Sequence, residues 1–135
     1  MHWLDADSDY VYCAGDALTV WKLLKSDLSK VAESTSYGDI IYALAGDDDY
    51  VYCAGGSTTN KVWKLLKSDL SKVAESDSYG GTIYALAVDD DSVYCAGDAW
   101  TVWKLLKSDL SKVAESDSYG DVILCLLYTS PSPRD

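Results

Sequence analysis

The chain has 135 residues, 48% of them hydrophobic, with 22 acidic against 11 basic side chains and a formal net charge of −11. That length suits one average domain with its own core and holds no apolar run long enough to span a membrane, while the charge repels nucleic-acid phosphates and anionic membrane surfaces, so neither is an expected partner. One histidine, His2, leaves metal and acid–base chemistry without their commonest ligand and proton carrier.

In chain order, residues 1–9 (MHWLDADSD) align with Ile83–Asp91 as a degraded first strand. The chain is therefore expected to start inside a repeat. YVYCAG follows at Tyr10, returns at Tyr50 and comes back as SVYCAG at Ser92. Between these lies the longest repeated unit, VWKLLKSDLSKVAES, identical at Val20–Ser34, Val62–Ser76 and Val102–Ser116. Val62 follows Val20 by 42 residues and Val102 follows Val62 by 40. Periods of this size belong to propeller blades or helical solenoids.

Each unit divides into four pieces. Asp39–Gly46 and Gly81–Val88 are Ile- and Tyr-rich runs that end in the acidic clusters Asp47–Asp49 and Asp89–Asp91, which reads as a strand closing in a turn. Tyr50–Ala54 and Val93–Ala96 complete hairpins with them. Thr101–Lys107 is a third strand, Ser108–Asp109 a turn, and Ser111–Ser116 a polar fourth strand. The first piece is apolar on both faces and the last is mostly polar, the gradient that a radial blade requires when its inner strands are clamped between neighbours and its outer strand meets water.

The fold expected is all-β, an incomplete β-propeller of about three four-stranded antiparallel blades. Its rival is a ββα repeat with a helix through each VWKLLKSDLSKVAES, since Trp63, Leu66, Leu70 and Val73 fall at three–four spacing. Ser68, Asp69 and Ser71 stand against that helix, because such residues favour turns and caps. The middle unit carries two extra residues: GSTTNK separates Gly55 from Val62, where DALT and DAWT fill the equivalent gaps. An even insertion in a polar hairpin loop keeps strand-face parity.

The segment IYALAVDDDSVYCAGDAWTVWKLLKSDLSKVAES resembles the repeats of PQQ-like (quinoprotein alcohol dehydrogenase-like) β-propellers, a pattern shared in part with WD-repeat propellers, and the resemblance covers about residues 1–124. It implies blades at 1–38, 39–80 and 81–120 and an interrupted fourth blade at 121–124. Where that family closes its fourth strand with Trp, this chain has Ala-Glu-Ser. Residues 125–135, CLLYTSPSPRD, resemble a translated sequencing adapter and are expected to be a non-native tail. Three blades cannot close a ring, so the terminal blades are expected to expose apolar faces and to bind a protein partner or further copies of the chain.

Two constellations are candidate sites. Asp47, Asp48 and Asp49, with Asp89, Asp90 and Asp91, offer oxygens for a cation, or simply a solvated turn. Tyr37, Tyr79 and Tyr119, each before a glycine, could form a ring of aromatics that stacks on sugars, or could pack against the next blade. Trp21, Trp63 and Trp103 are expected in the core, and Cys13, Cys53 and Cys95, at equivalent places, as small buried hydrophobes. No nucleophile–base pair, metal-binding helix motif or phosphate loop stands out. The expected function is that of a non-catalytic scaffold or interaction module without a cofactor; a carbohydrate-binding propeller and a fragment of a quinone-dependent dehydrogenase are the alternatives. Compartment is not legible.

Overall fold

Strand, turn and strand succeed one another wherever β-branched and aromatic residues meet an Asp- or Gly-rich break. The computed structural model describes residues 3–6, 9–56 and 58–126, the first four as backbone alone. Among these, β1 (Trp3–Ala6), β2 (Tyr10–Ala14), β3 (Val20–Leu24) and β4 (Lys30–Glu33) form one sheet. β5 (Ile41–Gly46), β6 (Tyr50–Gly55), β7 (Trp63–Leu66) and β8 (Lys72–Glu75) form the second. β9 (Ile83–Val88), β10 (Ser92–Gly97), β11 (Val102–Leu106) and β12 (Lys112–Glu115) form the third. Every sheet is an antiparallel meander in sequence order, so the all-β reading with about three blades holds. The degraded first segment still pairs as β1, Trp3 opposite Ala14.

The helical alternative is overturned. In each VWKLLKSDLSKVAES the chain reverses through Lys-Ser-Asp-Leu: the Leu66 amide donates to the Ser71 carbonyl at 2.9 Å, Leu70 to Leu66 at 2.8 Å, and the Asp69 carboxylate accepts the Ser71 amide at 3.0 Å. The equivalent leucines, Leu28, Leu70 and Leu110, sit in the left-handed region at φ 62°, 63° and 63°. A branched side chain there costs about 1 kcal/mol and cannot continue a helix. Three–four spacing arises here because two short strands flank a four-residue turn.

First strands touch across blades, β1 with β5 and β5 with β9, and the rings of Tyr42 and Tyr84 lie 5.0 Å apart between two of them. Last strands are wet: all four residues of β12 and all but Ala74 of β8 are exposed. Pleating gives each blade two apolar faces. In the second blade, Leu44, Val51, Cys53, Trp63 and Leu65 look back to the first blade, while Ala43, Tyr52, Ala54 and Val62 look forward to the third. The core is thus two seams between blades rather than one central cluster.

Candidate functional site

Each seam is closed by the link from one blade's last strand to the next blade's first. Ser-x-Ser-Tyr-Gly recurs there. The first serine's hydroxyl accepts the amide of Val20 or Val62 at 2.9 or 2.8 Å, the second caps the glycine amide, and Gly38 and Gly80 adopt φ 88° and 93°, a turn that favours a residue without Cβ. The turn drives the tyrosine into the seam. Tyr37 donates its hydroxyl to the Lys61 carbonyl and accepts the amides of Gly55 and Lys61, both at 3.1 Å. Its own amide meets Leu18 of the preceding blade at 2.7 Å, so one residue holds two blades. Tyr79 repeats this, accepting the Gly97 amide at 2.8 Å, donating to Thr101 and donating its own amide to Asn60 at 2.9 Å. Burial pushes both hydroxyls above the ordinary tyrosine range.

The rings meet tryptophan edge-on, Tyr37 with Trp63 at 5.2 Å and Tyr79 with Trp103 at 5.4 Å. On each Trp sits a lysine from the fourth strand, Lys72 and Lys112 both at 4.1 Å from the ring centre. The backbone leaves no alternative at Gly97: a Cβ would lie 2.1 Å from the Thr82 carbonyl oxygen.

Three further groups cross the seams. Lys22 and Lys64, buried along their stems, reach the turn between third and fourth strands of the next blade, Lys22 donating to Lys67 and Ser68 at 2.6 and 3.3 Å and Lys64 to Lys107 at 2.5 Å. Leu70 and Leu110 in those turns point back into the seam. Lys107 pairs with Asp47 at 2.9 Å.

Both ends of the array carry the same groups unfilled. Trp21, the counterpart of Trp63, is 38% exposed, and beside it opens a pocket of about 260 Å³ lined by Cys13, Ala14, Gly15, Thr19 and Trp21. Leu28, the counterpart of Leu70, is exposed. At the far end Tyr119 keeps its backbone bond, its amide donating to Trp100 at 2.7 Å, but its ring is 72% exposed. Lys104, Leu106 and Ser116, counterparts of groups wholly or partly buried in the first seam or the second, are exposed.

Of the two readings of these tyrosines, packing against the next blade describes Tyr37 and Tyr79. Tyr37 and Tyr79 are 2% and 3% exposed, because their Ser-Tyr-Gly turns aim them inward; Tyr119 alone of the three faces water. Trp21 departs from the expected core. Asp47 and Asp89 staple their hairpins: each carboxylate accepts two amides of its own turn, Asp49 and Tyr50 at 3.0 and 2.8 Å, or Asp91 and Ser92 at 3.0 and 2.8 Å, and takes a tyrosine hydroxyl, Tyr52 or Tyr94. Partial burial works against them, yet the Lys107 ammonium and the turn amides hold Asp47 below the usual carboxylate range, and Tyr94 with its turn amides does so for Asp89. Asp48, Asp49, Asp90 and Asp91 project from the turns as exposed residues. Among the described residues no three His, Cys, Asp or Glu side chains converge as a metal site would require. Cys13, Cys53 and Cys95 are buried free thiols, and Cys125 is exposed; the rest of the adapter-like tail, 127–135, lies outside the described residues. Sequence reasoning found the recurring Tyr-Gly and its packing on the next blade but not the serine caps and the hydroxyl bonds that make it a clasp before β5 and β9.

No protein-family model matches the chain, and no curated protein does. Solved structures match its fold. The crystal structure of the computationally designed Ika4 protein superposes with a TM-score of 0.85 at 13% identity, over 94% of this chain and 78% of that one. U3-55K gives 0.78 at 9% identity and the RRP9 WD40 repeats 0.78 at 10%, each over 87% of this chain but 38% of theirs. These likenesses give the chain a β-propeller-like fold, without a family assignment.

Proposed function

We propose that the chain is a non-catalytic β-propeller repeat acting as a scaffold or protein-interaction module through its two open blade faces. The observation that carries this reading is that the Tyr–Trp, Lys–carbonyl and Leu contacts that close both seams have their unfilled counterparts at both ends. Exposed apolar patches of this kind mark interaction surfaces. The polar clusters recur as turn staples in the second and third blades and as seam contacts at Lys22 and Lys64, which supports a structural role for them.

The test uses an apolar fluorophore and sedimentation on the purified chain, beside a variant with Trp21→Glu and Leu106→Lys. Dye binding or association that the variant loses while keeping its strand circular dichroism is the expected result. A monomer that binds no dye rejects the reading. Glycan stacking, the other reading of the Tyr-Gly turns, retains Tyr119 as its ring, and a glycan array without signal disposes of it. A quinone-dependent role rests on the repeat resemblance alone.

A further inference from the structure

We propose that Tyr119 of one chain occupies the pocket beside Trp21 of a second copy, and that two chains join head to tail as a closed six-blade ring. This inference rests on the interaction-module reading and names its partner.

The pocket is a tyrosine socket. In the second blade the socket is made by Gly55, Lys61 and Trp63 and holds Tyr37; in the third it is made by Gly97, Thr101 and Trp103 and holds Tyr79. Aligning the repeats puts Gly15, Thr19 and Trp21 at the same three positions, and these line the empty pocket of about 260 Å³. The plug is equally complete. Ser116-Asp117-Ser118-Tyr119-Gly120 has the sequence of Ser76–Gly80 and the same turn, with the Gly120 amide on Ser118 at 3.1 Å and φ 89°. Ile123 donates to Gly97 at 3.2 Å as Ile41 donates to Gly15 at 3.2 Å, so the segment after Tyr119 leaves its blade along the path of an internal link.

Two other pairs fall into register with this plug. Lys104 matches Lys22 and Lys64, whose ammoniums bond turn carbonyls of the following blade, and the corresponding carbonyls of the second copy are those of exposed Lys25 and Ser26. Leu28 matches Leu70, and the half-buried Tyr94 and Val102, which it would cover, match the Tyr12 and Val20 that Leu70 packs among. A foreign partner would have to reproduce all three pairs; a second copy already has them.

Copy number follows from closure. The contact is heterologous, so it either closes a ring or grows a fibre. Propellers close with typically four to eight blades, and with the three described blades in each copy, two copies fall inside that range while one and three fall outside it.

Sedimentation and photo-crosslinking test this on the whole chain. A species of twice 14.7 kDa is expected. A benzophenone amino acid at position 119 should crosslink to residues 13–21 of the other copy. Tyr119→Ala, at an exposed site, should keep the monomer's circular dichroism yet weaken the dimer by about 30-fold at each of its two seams. Tyr119→Phe, losing only the hydroxyl, should cost roughly 5- to 10-fold per seam. A dimer crosslinked from Tyr119 to any other region, or one indifferent to both substitutions, overturns the socket while leaving an interaction module. Polymers without a closed dimer overturn the ring. A strict monomer that still binds the apolar dye overturns the self-pairing alone; one that binds no dye removes the interaction reading as well.

Discussion

Leu70 and Leu28 hold the same place in the same left-handed turn, at φ 63° and 62°, yet Leu70 is 1% exposed and Leu28 61%. The difference lies in what stands before them: Leu70 covers the first blade, and among the described residues no blade stands before Leu28. Leu70→Ala should therefore cost about 2–4 kcal/mol of unfolding free energy, and Leu28→Ala, measured where the chain is monomeric, less than about 0.5 kcal/mol. Leu28→Gly should stabilise the monomer by about 1 kcal/mol, since it relieves the left-handed strain without emptying a seam. Urea titrations of the three variants compare these values directly, and equal losses at the two leucines would contradict the seam assignment.

Tyr79 and Tyr119 make a second such pair. Tyr79→Phe strips the Gly97 amide and the Thr101 carbonyl of their shared partner inside a seam and should destabilise by about 1–3 kcal/mol. Tyr119→Phe should leave the monomer's thermal midpoint unchanged. A shift of similar size in both would place the exposed ring in a contact of its own.

Acid should loosen a loop of the second blade through Asp39 and its seam with the third through Asp47. The hydroxyl and amide of Thr58, at 2.6 and 2.8 Å, hold the Asp39 carboxyl down to about 2, and Asp47 is lowered as described above. A group whose folded value lies below its ordinary one stabilises above the ordinary range and loses that contribution as pH falls through the folded value. Stability should decline between about pH 4 and pH 2, and Asp39→Asn should flatten part of that decline. A carboxyl-detected NMR titration reads Asp39 itself, and an ordinary midpoint there would refute the loop contact.

The thiols should report seam integrity. Burial pushes Cys53 and Cys95 up to about 12, so a thiol reagent at neutral pH should reach them at the rate of global unfolding. Cys125 is exposed and should react at once. Cys13, in the open pocket and raised by burial, should react at an intermediate rate, slower at concentrations that favour the dimer. Mass spectrometry of the labelled peptides gives the order, and early labelling of Cys53 would mean that the first seam opens locally.

Strand positions were legible because each run of Ile, Tyr and Val ends in Asp or Gly, and wet outer strands were legible from Lys, Glu and Ser. The fifteen-residue stretch was ambiguous for a physical reason: a turn of four between short strands spaces Trp63, Leu66, Leu70 and Val73 as a helix would, and Ser68, Asp69 and Ser71 were the sequence's signal for the turn that Leu70's left-handed backbone completes. The tyrosines were visible as a recurrence, but their role depends on amides 18 residues further on, Gly55 from Tyr37 and Gly97 from Tyr79, a distance that no local pattern spans. Exposure at Trp21 and Tyr119 was not legible residue by residue either, since each has two less exposed twins of near-identical local sequence.

Those twins have a consequence for how such an array lengthens. Because every seam is made from one plug and one socket, a duplicated unit of about 40 residues would arrive already fitted to both neighbours, needing no compensating change elsewhere. The clasp by itself does not count blades. Adding or removing a whole unit therefore leaves every remaining clasp the same.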